Sequence, residues 1–251
     1  MKKFALLLAV ALPMAFASCG DDNDASFTLS QSSVELNYKG NTTLTASEKN
    51  VTWGSSDEFV ATVSDNGKIE AKHVGTATIT ATKNGETATC KVTVVPTNNQ
   101  FVMPYMTWKA SAAKIESAFN GFQKGSNSTD NELVYYTNAA NYTLPGYLYR
   151  LNATGYTGLY QSQLLVETTD QVSVYNWMEQ YYNEVSTDDD EDFIYADNSG
   201  KEVAALGAII DDDTYETLGW AAIWTAPDYT GTRGVSMIKE AKAAALKVLK
   251  K

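Results

Sequence analysis

Thr76-Ala77-Thr78-Ile79-Thr80-Ala81-Thr82 and Thr87-Ala88-Thr89-Cys90-Lys91-Val92-Thr93-Val94 alternate residue by residue, with Lys83-Asn84-Gly85 between them. Period two with β-branched enrichment predicts two half-buried antiparallel strands. Asn-Gly predicts the tight turn joining them, because both residues tolerate positive φ. Working outward, Val34-Glu35-Leu36 and Thr42 to Ala46 alternate in the same way, and Lys39-Gly40-Asn41 and Asp65-Asn66-Gly67 supply further turns. About seven short strands at this spacing over Phe27 to Val95 predict an all-β sandwich. Trp53 is its expected large inward side chain. Cys90 shares a face with Ala88, Val92 and Val94 and reads as a buried small hydrophobe, with a reactive thiol as the alternative. His73, just before Gly75, reads as a solvated turn residue.

Five blocks in this order carry a resemblance. They are Val51-Thr52-Trp53-Gly54-Ser55-Ser56-Asp57, Val60-Ala61-Thr62-Val63, Gly67-Lys68-Ile69 with Ala71, Gly75 to Ala81, and Val92-Thr93-Val94. The stretch 27–95 resembles the group 2 bacterial immunoglobulin-like domain. The resemblance implies an immunoglobulin-like sandwich without a catalytic centre, acting as a spacer or adhesive module on a bacterial surface protein.

Upstream, Met1-Lys2-Lys3 is a short basic start, and Phe4 to Phe16 is an apolar run of thirteen residues. That fits a signal-peptide core and is too short to span a bilayer of about 30 Å as a helix. Phe16-Ala17-Ser18-Cys19 resembles a bacterial lipobox, with Phe where Leu is usual. Residues 1–18 then form the signal peptide, Cys19 is lipidated, and 19–26 is a tether. Ala15-Phe16-Ala17 offers an ordinary cleavage site as the alternative. Gly20-Asp21-Asp22-Asn23-Asp24 resembles the surface-export signal of Bacteroidetes lipoproteins, and reads equally as a solvated tether. The expected location is the outer membrane, lipid-anchored and facing outward, with the membrane as partner through the acyl chains. With Cys19 acylated, Cys90 has no disulfide partner.

The chain of 251 residues carries 19 Lys+Arg against 30 Asp+Glu, so bulk charge argues against nucleic acid as a partner. Its single His excludes every two-histidine metal motif.

Pro96 to Gln100 is polar and short, and 96–100 reads as a linker. Beyond it the composition shifts. Of 15 Tyr and 5 Trp in the chain, only Tyr38 and Trp53 precede it. Over 101–251 the expected elements are a helix Ser111–Phe122, strands Glu132–Thr137, Tyr147–Leu151 and Leu159–Glu167, and a helix begun by Asp170. That second helix has Val172, Tyr175, Met178, Tyr182 and Val185 on one face. Strands Phe193–Ala196, Glu202–Ile210 and Leu218–Thr225 follow, then a helix Val235–Leu249. The order hints at an internal duplication. The fold class is therefore multidomain, an all-β immunoglobulin-like sandwich followed by an α+β unit, an antiparallel sheet with helices on one face. At the level of topology that unit is similar to β-lactamase inhibitory protein and related envelope lipoprotein modules.

Two constellations stand out. If a hairpin closes through Asp197 to Gly200 with Ala196 opposite Lys201, the run Asp188 to Asp192 meets Asp211 to Asp213. Asp188, Asp190, Asp192, Asp211 and Asp213 are then candidate ligands for Ca²⁺, the one cofactor considered, against a reading as solvated acidic loops. It is no EF-hand, since Phe193 stands where Gly is required. Tyr135, Tyr147, Tyr149, Trp220 and Trp224 are candidates for an exposed aromatic face that stacks sugars or receives a protein, against a reading as core margin. No G-x-S-x-G and no phosphate-binding loop occur. The expected function is non-catalytic recognition of a protein or glycan, and the protein is not expected to be an enzyme. A carboxylate-dependent hydrolase and a purely structural envelope component are the alternatives.

Overall fold

In a computed structural model of the chain, the described residues are 27–137, 145–187, 192–199, 202–211, 213–229 and 235–249. The expectations placed on 1–26, including the signal peptide and Cys19, lie outside them. So do Asp188, Asp190 and residues 189, 191 and 212.

The N-terminal unit contains β1 (Ser33–Asn37), β2 (Asn41–Thr43), β3 (Thr52–Ser55), β4 (Ala61–Val63), β5 (Lys68–Ala71), β6 (Gly75–Lys83) and β7 (Glu86–Val95). They form two sheets, β1-β7-β6-β3 and β2-β5-β4. The alternating faces meet in one core of Leu44, Val60, Ile69, Ile79, Cys90 and Val92, with Trp53 packed against it. Asn84 and Gly85 turn β6 into β7 with φ of 51° and 89°, the conformation that Asn-Gly favours. Gly67 turns β4 into β5 at φ 78°; a Cβ there would lie 2.3 Å from the Leu44 carbonyl oxygen.

The C-terminal unit begins with α1 (Ala112–Ala118), β8 (Gln123–Lys124), β9 (Glu132–Tyr136), β10 (Gly146–Leu151) and β11 (Leu159–Val166). A second set follows, α2 (Gln171–Met178), β12 (Asn183–Thr187), β13 (Phe193–Ala196), β14 (Glu202–Ile210) and β15 (Thr217–Thr225), and α3 (Val235–Leu249) closes it. All eight strands join one antiparallel sheet in the order β12-β13-β14-β15-β11-β10-β9-β8. Each half is a helix followed by a four-stranded meander, and the halves meet through their last strands, β11 against β15. Read from either edge, the order is the same, so the duplication hinted at by the sequence is present as architecture. Among the described residues no helix is long and apolar enough to cross a membrane.

Two expectations need correction. The helices do not share one face. Ile115 of α1 and Phe119 at its C-terminal cap, and Val174, Trp177 and Met178 of α2, cover the face bearing Leu133, Tyr147, Leu164 and Trp224. The opposite face, with Leu148, Leu165, Ile209 and Ile223, is covered by Ala241, Ala244, Ala245 and Val248 of α3. A sheet whose strands are apolar on both sides needs two covers. The second helix is also shorter than its pattern. It stops at Met178, and Val185 lies in an edge strand instead. Of the expected apolar face, Met178, Tyr175 and Tyr182 pack on the core, whereas Val172 and Val185 are 67% and 50% exposed.

Candidate functional site

The aromatic candidates all lie on the face covered by α1 and α2. Tyr135, Tyr147, Tyr149 and Trp224 are 0 to 3% exposed, and Trp220 packs partly buried against the same cluster. Phe119 of α1 contacts the rings of Tyr135, Tyr147 and Tyr149 at 5.1, 5.4 and 5.2 Å between centroids. The segment before α1 straps the outer rim. Tyr147 Oη donates to the Val102 carbonyl at 3.0 Å, and Tyr149 Oη accepts from the Tyr105 N–H at 3.1 Å. Burial pushes the Tyr147 hydroxyl up to about 12 and that of Tyr149 higher. The expected exposed stacking face is therefore a core. The hydroxyls of Tyr147 and Tyr149 tie down a cover.

The described acidic candidates, Asp192, Asp211 and Asp213, take separate roles as well. The hairpin exists, but Phe193 pairs with Leu206 and Ala196 with Glu202, across an irregularity, so its register differs from the expected one. Asp192 is 2% exposed and its Oδ1 accepts from Lys242 Nζ of α3 at 2.5 Å. Gly207 makes room for this pair, since a Cβ there would lie 2.0 Å from Asp192 Oδ1 and 2.7 Å from Lys242 Cε. Asp211 folds its own turn, with Oδ1 accepting from the N–H groups of Asp213 (2.8 Å) and Thr214 (2.9 Å). Among the described residues no group of three or more His, Cys, Asp or Glu side chains is arranged to hold a metal.

A concave feature lies where the sandwich meets the second unit. A cleft of about 550 Å³ is lined on one side by the β1–β2 turn (Tyr38, Lys39, Gly40, Asn41) and by the end of β5 with Glu70, Ala71, Lys72 and His73. Its other side is Glu179 and Tyr182, after α2, with Asn183 and Glu184 of β12. None of these residues was picked out for binding by the sequence. The usable signals were local: the turn at Lys39-Gly40-Asn41, and a lone His beside it in the fold.

Gln180 holds the two sides together. It is 1% exposed, and its Oε1 accepts from Thr97 N–H (2.7 Å), Thr97 Oγ1 (3.1 Å) and Asn98 N–H (3.0 Å). Its Nε2 donates to the Asn98 carbonyl at 3.2 Å. Its own carbonyl accepts from Val74 N–H of the sandwich at 2.7 Å. Asn98 Nδ2 adds a bond to the Ser173 carbonyl at 3.2 Å. The stretch expected to be a linker is thus clamped to α2.

Each wall has its own electrostatics. On the sandwich side Glu70 accepts from Lys68 at 2.7 Å and Lys72 at 3.3 Å, and these ammonium groups hold its carboxyl below the usual range. Lys39 Nζ sits 4.9 Å from the centre of the Tyr38 ring. His73 is not simply solvated. It stacks on Phe59 at 3.9 Å between centroids, and its Nδ1 donates to the Phe59 carbonyl at 2.7 Å. On the other side the Tyr175 hydroxyl reaches both Glu184 Oε2 (2.8 Å) and Glu179 Oε1 (3.3 Å). Its hydrogen bond to Glu184, with burial and the two negative charges, pushes its pKa well up. Glu184 is exposed and Glu179 half-buried, so the cleft offers polar and charged groups for binding.

A family model described as the bacterial Ig-like domain (group 2) matches residues 25–94. An uncharacterized protein of Clostridium acetobutylicum is 41% identical over 103 residues, covering 36% of this chain and 11% of that protein. An α-L-arabinofuranosidase of Bifidobacterium longum subsp. longum is 40% identical over 125 residues, covering 42% of this chain and 12% of that protein. The chain therefore spans only 11 to 12% of the length of these relatives. Among solved structures, domains 1–6 of the surface layer protein SbsC align with a TM-score of 0.26 at 12% identity, covering 83% of this chain and 26% of that one. Domains 5–6 of the same protein align at 0.23 and 12%, covering 79% and 82%. At such TM-scores the likeness carries no argument.

Proposed function

We propose that this chain is a cell-surface lipoprotein with a non-catalytic recognition role, and that the cleft between the sandwich and the α+β unit is where it binds. In this reading Cys19 carries the acyl chains in the outer membrane, the immunoglobulin-like sandwich is the spacer, and the α+β unit faces outward. One observation carries the proposal: the cleft has walls from both units, and Gln180 fixes those walls in register. Ligand sites favour such concave positions at domain interfaces, and a preformed site avoids ordering costs on binding. The family match over residues 25–94 supports the spacer role. Lipidation is expected from the lipobox-like Phe16-Ala17-Ser18-Cys19.

The test uses the full chain made soluble by Cys19→Ser, screened on glycan and peptide arrays beside Asn183→Trp, which fills the cleft. Binding that disappears in Asn183→Trp supports the reading. Binding unchanged by Asn183→Trp places recognition elsewhere. In the native host, incorporation of an alkyne-labelled fatty acid that Cys19→Ala abolishes tests the anchor separately.

A further inference from the structure

We infer that the cleft receives a short peptide with both termini free, its carboxylate toward the sandwich wall and its ammonium toward the α+β wall. The inference rests on the cleft being the recognition site and adds the class of ligand. The sandwich wall carries one more cation than anions: Lys39 has no ion-pair partner among the described residues, while Glu70 is held by Lys72 and by Lys68. The facing wall is acidic, with Glu179 and Glu184 sharing one tyrosine hydroxyl. Among the described residues no ion pair joins the two walls, and neither Lys39 nor either of these glutamates has an ion-pair partner.

Opposite charges on the two walls of one cleft select by sign. A ligand with both charges makes charge-assisted hydrogen bonds at each end. An anion is repelled by one wall and a cation by the other, and a neutral ligand makes neither strong bond. Asn41 and Asn183, also lining the cleft, bring amides that match the donors and acceptors of a peptide backbone. The net charge of −11 sets a background that disfavours simple anions.

Calorimetric titration of the soluble full chain with glycine and its di-, tri- and tetrapeptides tests this. One length is expected to bind best, because each residue adds about 3.3–3.6 Å of reach. N-acetylation or C-amidation of that peptide is expected to weaken binding at least about tenfold. Glu184→Gln is expected to remove most of the acetylation penalty, and Lys39→Met most of the amidation penalty. Both positions are solvent-facing, and a thermal melt confirms folding. Equal binding of the blocked peptides overturns the inference, as does silence toward all four lengths. If instead a neutral glycan binds and Asn183→Trp abolishes it, the ligand class falls and the recognition reading stands. If no ligand of any class responds to Asn183→Trp, both fall.

Discussion

Asp192 and Gly207 show how one side chain decides between two roles. A carboxylate in an acidic run looks like a metal ligand or a solvated loop, yet Asp192 is buried against Lys242. Removing the cation strands a buried charge, which typically costs about 3–5 kcal/mol. Lys242→Met is therefore expected to lower unfolding stability by about 3 kcal/mol in urea titration. Gly207→Ala is expected to destabilise by about 1–3 kcal/mol by crowding the same pair. Tyr149 makes the complementary point. It is fully buried, so Tyr149→Ala is expected to cost about 3–5 kcal/mol and to lose the sheet's cover, as seen in near-ultraviolet circular dichroism. Loss of binding in that variant would report unfolding, not a ligand contact.

Among the elements, α2 and β12 are where pattern and structure part. An apolar spacing of three and four ran through Tyr175, Met178, Tyr182 and Val185, but the helix ends at Met178. The Gln180 carbonyl is taken by Val74 N–H of the sandwich, and Asn183–Thr187 pair with β13. Gln180→Ala removes the linker clamp and leaves the Thr97 and Asn98 N–H groups without that acceptor. Since each such hydrogen bond contributes about 0.5–1.5 kcal/mol net, a loss of about 2–3 kcal/mol is expected. Scanning calorimetry is the sharper readout. The wild type is expected to unfold its two units together, and the variant to show the two endotherms separating.

At the scale of the whole molecule, the buried tyrosines make stability depend on alkaline pH. Burial, with Glu116 adding a smaller push, raises Tyr135 to about 12, and burial raises Tyr147 to about 12. An unfolded tyrosine ionises near 10. Below that both states keep the proton and the contribution is constant. Between pH 10 and 12 the unfolded chain releases protons that the folded one retains, so stability falls as pH rises. Tyrosinate absorbance at alkaline pH is expected to grow in two stages. A first rise is followed by a cooperative one, from the buried tyrosines, that coincides with loss of circular dichroism. A single smooth titration with native circular dichroism throughout would contradict the buried network.

Local pattern along the chain was enough for the sandwich, most of the later strands and α3. Alternation and Asn-Gly turns are local properties: the pleat sets period two, and only a few residue types accept positive φ. Periodicity says which residues share a face, but not what covers that face. Hence the tyrosine face was readable as a face, while its exposure stayed open between a stacking surface and a core margin. Likewise β11 carries Gln161, Ser162 and Gln163 fully buried, polar residues no pattern would place inside. The second helical cover, the strand in place of a helix end, the Asp192–Lys242 pair and the cleft all depend on contacts distant in sequence. Only the tertiary structure decided them, because each arises from groups whose partners are chosen by packing rather than by neighbours along the chain.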